Sequence, residues 1–282
     1  MIVFETINDL TTWLNSCKKN GQSLGFAPTM GALHNGHISL INRAKEDNSM
    51  VLSSIFVNPT QFNNQEDLKK YPKTIEKDLE MLREAGCDAV FLPSVTEMYP
   101  DPNAPKGHWH FGLLSETLEG HFRPGHFDGV LTIVKKFFDI IQPDNAYFGE
   151  KDYQQLAHIR KLVEVEKMPI NIISCPTLRE NDGLAMSSRN LRLTPDQRKT
   201  ALVIHQVLQG IKDQVPQEDP PSLEIWGRSI FLQHPEIELE YLEIIDGHTF
   251  SPLADWADSE EPVALIAAYV GEVRLIDNMR LL

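Results

Sequence analysis

Short apolar runs recur at residues 23–27, 50–57, 89–92, 145–149 and 170–175, and between them apolar side chains return at helical spacing. Ile75, Leu79 and Leu82 form one such stripe, closed by Gly86, while Leu156, Ile159 and Val163 form another. This alternation is the pattern of a parallel sheet with helices on both faces, and it predicts an α/β, doubly wound domain for the first two thirds of the chain. Phe137, Phe138, Ile140 and Ile141 suit either a core helix or a subunit interface, and the core is the better reading.

The pattern changes after Cys175, so residues 1–176 are expected to form the larger domain and residues 177–282 a smaller C-terminal α+β domain. Thr194, Pro195 and Gln197 make a capping box with proline at the first helical position, opening a helix expected to reach about Gly210. Residues 214–222 read as a proline- and acid-rich loop, and Ile225, Trp226, Ile230 and Phe231 as a short helix. Ile237, Leu239 and Tyr241 alternate with glutamates, and residues 263–270 meet 273–277 across Gly271-Glu272, a pair suited to a tight hairpin. Residues 99–108, with three prolines, read as a surface loop.

Charge and cysteine usage narrow the function classes. Twenty-six Lys+Arg against 40 Asp+Glu give a formal net charge of −14, which repels a phosphate backbone and argues against general nucleic-acid binding. Cys17, Cys87 and Cys175 are odd in number and lack C-x-x-C spacing, so neither a disulfide framework nor a zinc knuckle is expected. With no apolar leader in residues 1–10 and no membrane-length apolar run, the expectation is a cytoplasmic protein without a membrane partner.

Three segments carry chemistry. In the first, an apolar run ends in PTMGALHNGH (residues 28–37) and a helical period follows through Ile38, Ile41 and Ala44, which places Gly31, His34, Gly36 and His37 at a strand-to-helix turn. Ligands of open α/β sheets bind outside the carboxyl ends of strands, where a helix N-terminus offers N–H groups and partial positive charge to phosphate. The bland alternative makes Asn35 a helix cap and leaves the histidines solvated; metal ligation is weakest, because no third ligand lies at suitable spacing. In the second segment, FGEKDYQQ (148–155), Lys151 is a compact cation suited to phosphate, although Asp152 and Gln155 could form a capping box instead. In the third, Ser187, Ser188 and Arg189 within MSSRN place two hydroxyls beside a guanidinium, a plausible polyphosphate clamp that also occurs in ordinary loops.

Taken together the segments resemble a known group. HNGH resembles the HIGH signature and MSSRN the KMSKS signature of the nucleotidylyltransferase and class I aminoacyl-tRNA synthetase superfamily, whose members form adenylates on a Rossmann-like fold. Within it, PTMGALHNGH, FVNPTQF (56–62), LEGHFRPGHFDGV (118–130), FGEKDYQQ, LAMSSRN and the C-terminal GEVRLIDN resemble the pantothenate synthetase (pantoate–β-alanine ligase) family over almost the whole chain. Asn35, Asp128 and Val273 stand where many members carry Glu, Arg and Thr.

The resemblance implies ATP and Mg²⁺ as cofactors, pantoate and β-alanine as substrates, a homodimer, and a C-terminal domain acting as a lid. It assigns ATP to Met30, Gly31, Ala32, Leu33, His34, Asn35, Gly36 and His37, to Gly149, Glu150, Lys151 and Asp152, to the backbone at Leu178, and to Met186, Ser187, Ser188 and Arg189. His34 and His37 are then expected at the phosphates, His37 as proton donor, with Lys151 and Arg189 completing the catalytic set. Gln61 and Gln155 are expected to grip pantoate between apolar walls that include Phe62, Val130 and Met30, while Asn58, Tyr71, Glu119, Arg123 and His126 lie near the phosphates or the β-alanine entrance. Metal-ligating residues are not assigned.

The implied reaction begins with attack of the pantoate carboxylate on the α-phosphorus of ATP, expelling pyrophosphate. The amine of β-alanine then displaces AMP. A carboxylate is ionised at pH 7, so the first step needs alignment and charge stabilisation but no general base. Two rivals are an aminoacyl-tRNA synthetase fragment, opposed by the acidic charge, and a nucleotide-binding regulator, which has little reason to keep His34, His37, Lys151 and Arg189 together.

Overall fold

A computed structural model describes residues 1–101 and 107–282 of the chain, so the loop expected at 99–108 lies in part outside the described residues. In chain order the first elements are β1 (Ile2–Phe4), α1 (Ile7–Lys19), β2 (Leu24–Thr29), α2 (Asn35–Asp47), β3 (Met50–Ile55), α3 (Gln65–Lys70), α4 (Ile75–Glu84), β4 (Ala89–Phe91) and α5 (Val95–Met98). Next come α6 (Leu113–Glu116), α7 (Glu119–Phe122), α8 (His126–Ile141), β5 (Asn145–Gly149), α9 (Tyr153–Val165) and β6 (Asn171–Cys175). The remainder is α10 (Pro195–Thr200), α11 (Leu202–Asp213), α12 (Pro220–Phe231), β7 (Ile237–Asp246), β8 (Pro262–Val270) and β9 (Val273–Arg280). Two compact units result: Met1–Phe111 with Glu119–Glu150 and Gln154–Pro176, and Gly112–Leu118 with Lys151–Tyr153 and Thr177–Leu282.

The first unit is a Rossmann-like, wholly parallel sheet in the order β1-β4-β3-β2-β5-β6. Neighbouring residues along each strand face opposite layers. Phe26, Leu52 and Phe91 pack with Leu10 and Leu14 of α1 and Phe137, Phe138 and Ile141 of α8. Ala27, Val51 and Val90 pack with Ile41 and Ala44 of α2 and Leu82 of α4. The α8 residues therefore belong to the core. The chain winds from β2 through β3 to β4, then crosses to β5 on the other side of β2, so the winding direction reverses between β2 and β5. A crevice outside the carboxyl ends is expected at such a reversal, and the segments starting at Met30 and Glu150 leave those two strands there.

Several boundaries differ from the sequence reading, each for a physical reason. β3 stops at Ile55 because Asn58 caps the short helical turn Pro59–Gln61. β1 and α1 are additions to the expected elements: β1 is three residues long, too short for periodicity, although Thr6 accepting from the Asp9 amide marks the start of α1.

In the second unit α11 and α12 cover one face of an antiparallel sheet, β7-β8-β9, with Ile204, Val207, Leu223, Leu242, Ile244 and Ile266 in the core. The capping box at Thr194 and Gln197 is present, but the helix it opens ends at Thr200 and a second runs through Gly210 to Asp213. Gly210 is there for packing, since a Cβ would strike the Trp226 indole of α12. Asp219, inside the expected loop, caps α12 by accepting from the Ser222 amide at 2.8 Å. The Gly271-Glu272 hairpin forms with Val270 opposite Val273, and Gly271 takes the left-handed φ of +60°.

Candidate active site

The turn between β2 and α2 is held from behind by a buried carboxylate. Gly31 and Ala32 are both left-handed, at φ +77° and +49°, a conformation that costs a non-glycine residue about 1–2 kcal/mol. Asp78 of α4 compensates: it accepts the Ala32 amide at 2.9 Å, the Leu33 amide at 2.8 Å and the Thr74 hydroxyl at 3.0 Å. A side chain at Gly31 would approach the same carboxylate to 3.0 Å. The amides of Ala32 and Leu33 are therefore committed to this carboxylate. Asp78 is absent from the residues singled out by motif, yet its position on the apolar stripe with Ile75 and Leu82 is a signal, because an acid is rarely 1% exposed unless it is paired.

His34, rather than Asn35, caps α2. Its Nδ1 accepts the Gly36 amide at 3.1 Å, and the His34 amide donates to Nδ1 of His37 at 3.3 Å, a capping box built from two imidazoles. The rings lie 4.1 Å apart, centroid to centroid. A nitrogen that accepts from an N–H carries no proton, so in this geometry both rings are neutral and hold their hydrogen on Nε2.

Gln61 sits in a braced turn. Asn58, 1% exposed, donates to Gln61 Oε1 at 3.0 Å and to the Gly129 carbonyl at 3.1 Å, and accepts the Tyr99 hydroxyl at 2.9 Å. The other end of the Gln61 amide donates to the Met30 thioether at 3.1 Å, a weak acceptor. From the first turn of α8, His126 faces the Gln61 carbonyl at 2.8 Å through Nδ1 and the Arg123 guanidinium at 3.1 Å through Nε2, so it holds its proton on Nδ1. Arg123 donates in turn to Glu119 at 3.2 Å. α8 approaches so closely that a Cβ at Gly129 would lie 2.6 Å from the Gln61 Cα. Asn58, Glu119, Arg123 and His126 are thus wired into the support of the Gln61 turn.

Phe62 meets Tyr71 edge-on at 5.8 Å, in a cluster with Ala32 and Met30. Val130, on α8, is 3% exposed and packs in the main core cluster. Gln155 is half-buried on the first turn of α9 and, among the described residues, its amide has no hydrogen-bond partner; its neighbour Gln154 accepts the Glu119 amide at 2.9 Å. A helical turn at Glu150–Asp152 runs directly into α9. His158, stacked on Phe127 at 3.7 Å, is pushed down to about 4 by burial and stays neutral behind this region.

In the second unit, Lys151 forms no ion pair among the described residues, and its carbonyl accepts from Asn278 Nδ2 at 2.8 Å. Leu178 accepts the Met186 amide at 3.0 Å and Arg179 bridges Ala185, closing a small hairpin that delivers Ser187, Ser188 and Arg189. Ser187 caps the following turn through the Arg189 amide at 3.3 Å. Among the described residues, no group of three or more His, Cys, Asp or Glu is placed to hold a metal ion.

A family model described as Pantoate-beta-alanine ligase matches residues 2–280. A pantothenate synthetase from Cytophaga hutchinsonii is 48% identical over 281 residues, 99% of either chain. The crystal structure of a pantothenate synthetase from Thermus thermophilus superposes with a TM-score of 0.94 at 40% identity, covering 100% of this chain and 99% of that one. The pantoate-beta-alanine ligase of Francisella tularensis, crystallised as a complex with beta-gamma ATP and beta-alanine, gives 0.82 at 38% identity, covering 99% and 97%.

Proposed function

This chain belongs to the pantoate–β-alanine ligase family, and from that premise we propose how its residues divide the reaction. The reaction is the ATP-dependent condensation of pantoate with β-alanine to give pantothenate, through a pantoyl adenylate and with release of AMP and pyrophosphate. In the first unit His34 and His37 direct Nε2–H donors at the polyphosphate. Their neutral tautomer refines the role expected of His37. A ring whose Nδ1 accepts from the main chain would become an imidazolate on losing its Nε2 proton, so His37 stabilises the leaving group by hydrogen bonding rather than by proton transfer. In the second unit Lys151, Ser187, Ser188 and Arg189 supply cationic and hydroxyl donors to phosphate.

Gln61 and the amide of Gln155 take the hydroxyls and carboxylate of pantoate, with Phe62, Tyr71 and Met30 as apolar wall. Once the mixed anhydride has formed, the neutral amine of β-alanine attacks its carbonyl and AMP leaves, so no protein nucleophile is needed. Among the described residues no group of three or more His, Cys, Asp or Glu is placed to hold a metal ion; Mg²⁺ bound together with ATP would supply positive charge to the developing pyrophosphate. A homodimer and a cytoplasmic location complete the proposal, supported by the family resemblance and by the absence of a membrane-length apolar helix among the described residues.

The observation that carries this reading is the imidazole capping box at the start of α2, in which Nδ1 of both histidines accepts from the main chain. Its test is incubation with ATP, pantoate and β-alanine, which should yield AMP, pyrophosphate and pantothenate in equal amounts. ADP and phosphate instead would contradict it.

A further inference from the structure

Two buried polar side chains of β9 make contacts that the substrate-directed residues do not account for. Although β9 is an edge strand of its sheet, Asp277 and Asn278 are 4% and 6% exposed. Asp277 holds the Arg179 guanidinium fork to fork, at 2.6 and 3.0 Å, and its Oδ1 also accepts the Asn278 amide at 2.8 Å. Arg179 donates further to the carbonyls of Asn278 and Gly183, both at 3.1 Å. This planar, bidentate geometry defines the direction of the guanidinium, which a lysine could not reproduce. Arg179 stands at the base of the hairpin that delivers Ser187, Ser188 and Arg189. On the other side, the Asn278 side chain donates to the Lys151 carbonyl.

We propose that Asp277 and Asn278 are positioning residues for the adenylation step. Asp277 fixes, through Arg179, the hairpin that carries Arg189; Asn278 fixes the main chain that carries Lys151. Two cations from separate segments of sequence are thereby mounted on one strand, and their spacing is set by β9 rather than by the loops that bear them. This inference rests on the proposed phosphate-binding role of Lys151 and Arg189. The distinction from ordinary scaffolding is that the contribution of Asn278 to catalysis should pass through Lys151.

The test uses the full chain and the variants Asn278→Ala, Asn278→Asp, Lys151→Ala and Lys151→Ala/Asn278→Ala. Asn278→Asp preserves size while turning an acceptor oxygen toward the Lys151 carbonyl, so it serves if the alanine variant folds poorly. Both Asn278 variants should lower kcat/KM for ATP by about 10-fold or more, an effect of positioning on a transition-state donor, with KM for pantoate unchanged. Hydrogen exchange without substrates should quicken at residues 151–153 while β8 stays protected. In the Lys151→Ala background the further loss from Asn278→Ala should shrink below about 2-fold, the non-additivity expected of groups acting as one. Equal losses in both backgrounds, or unchanged exchange at 151–153, would overturn the inference while leaving the functional reading intact. Full activity of Lys151→Ala would overturn both.

Discussion

Replacing Asp78 by asparagine keeps the size of the side chain and removes one acceptor from beneath the β2–α2 turn. The carboxylate uses both oxygens: Oδ2 accepts the Ala32 amide, and Oδ1 accepts the Leu33 amide and the Thr74 hydroxyl. The best orientation of an asparagine keeps the second pair and turns its NH₂ toward the Ala32 N–H. A buried donor left unpaired costs about 1–3 kcal/mol, and the surviving bonds lose their charge assistance, so Asp78→Asn should destabilise the protein by about 2–4 kcal/mol. For a chain of this size that lowers Tm by roughly 5–15 °C. Most native proteins retain stability of about 5–15 kcal/mol, so the variant should remain folded at 25 °C. Its Ala32, no longer held left-handed, relaxes and displaces the His34 cap, and pyrophosphate release should fall about 10²-fold, as when a preorganised donor is lost. Thermal unfolding and steady-state pyrophosphate release measure the two effects. An Asp78→Asn protein with unchanged Tm and kcat would refute the claim that this carboxylate sets the turn.

His37→Ala should leave the fold intact and slow adenylate formation by ~10²-fold or more, read as pantoate-dependent pyrophosphate release; near-normal turnover would remove His37 from the mechanism. Gln61→Ala and Gln155→Ala should raise KM for pantoate strongly with little change in KM for ATP, because a site with buried amides rejects a ligand lacking matching hydroxyls by ~10⁴-fold or more; loss of ATP affinity alone would contradict the assignment. Burial, reinforced by repulsion from Glu243, pushes the Glu224 carboxyl from 4.5 up to about 7. The folded state therefore keeps this proton longer than the unfolded chain does, and stability should fall as pH rises from 4.5 to about 7. Partial exposure reduces the effect to about 1–2 kcal/mol. Glu224→Gln keeps an acceptor for the Ile244 amide, at 2.6 Å in the native protein, and should flatten that slope in denaturant titrations at pH 5 and pH 7.5; an undiminished slope would exclude Glu224 as its source.

The strand-to-helix turns are legible in the sequence because glycines and histidines stand out where an apolar run ends. Their support is not. Asp78 meets the turn only after α4 docks beside β2, and nothing local to residues 75–84 points to Ala32. Asp277 and Asn278 look like ordinary polar positions of an edge strand until Arg179 and Lys151 are brought against them. The cap of α2 is not the asparagine of the bland alternative: asparagine is the commoner capping residue, but in HNGH the imidazole ahead of it takes that place. Long-range polar contacts of this kind leave no periodic trace in sequence, while the apolar layers of the sheet do.

The most direct test of the central claim is isotope exchange between pyrophosphate and ATP in the absence of β-alanine. If the chain makes a pantoyl adenylate with His34, His37, Lys151 and Arg189 stabilising the departing pyrophosphate, labelled pyrophosphate should enter ATP when pantoate is added and at no appreciable rate without it. Exchange that requires β-alanine, or that proceeds equally well without pantoate, would contradict the adenylate route.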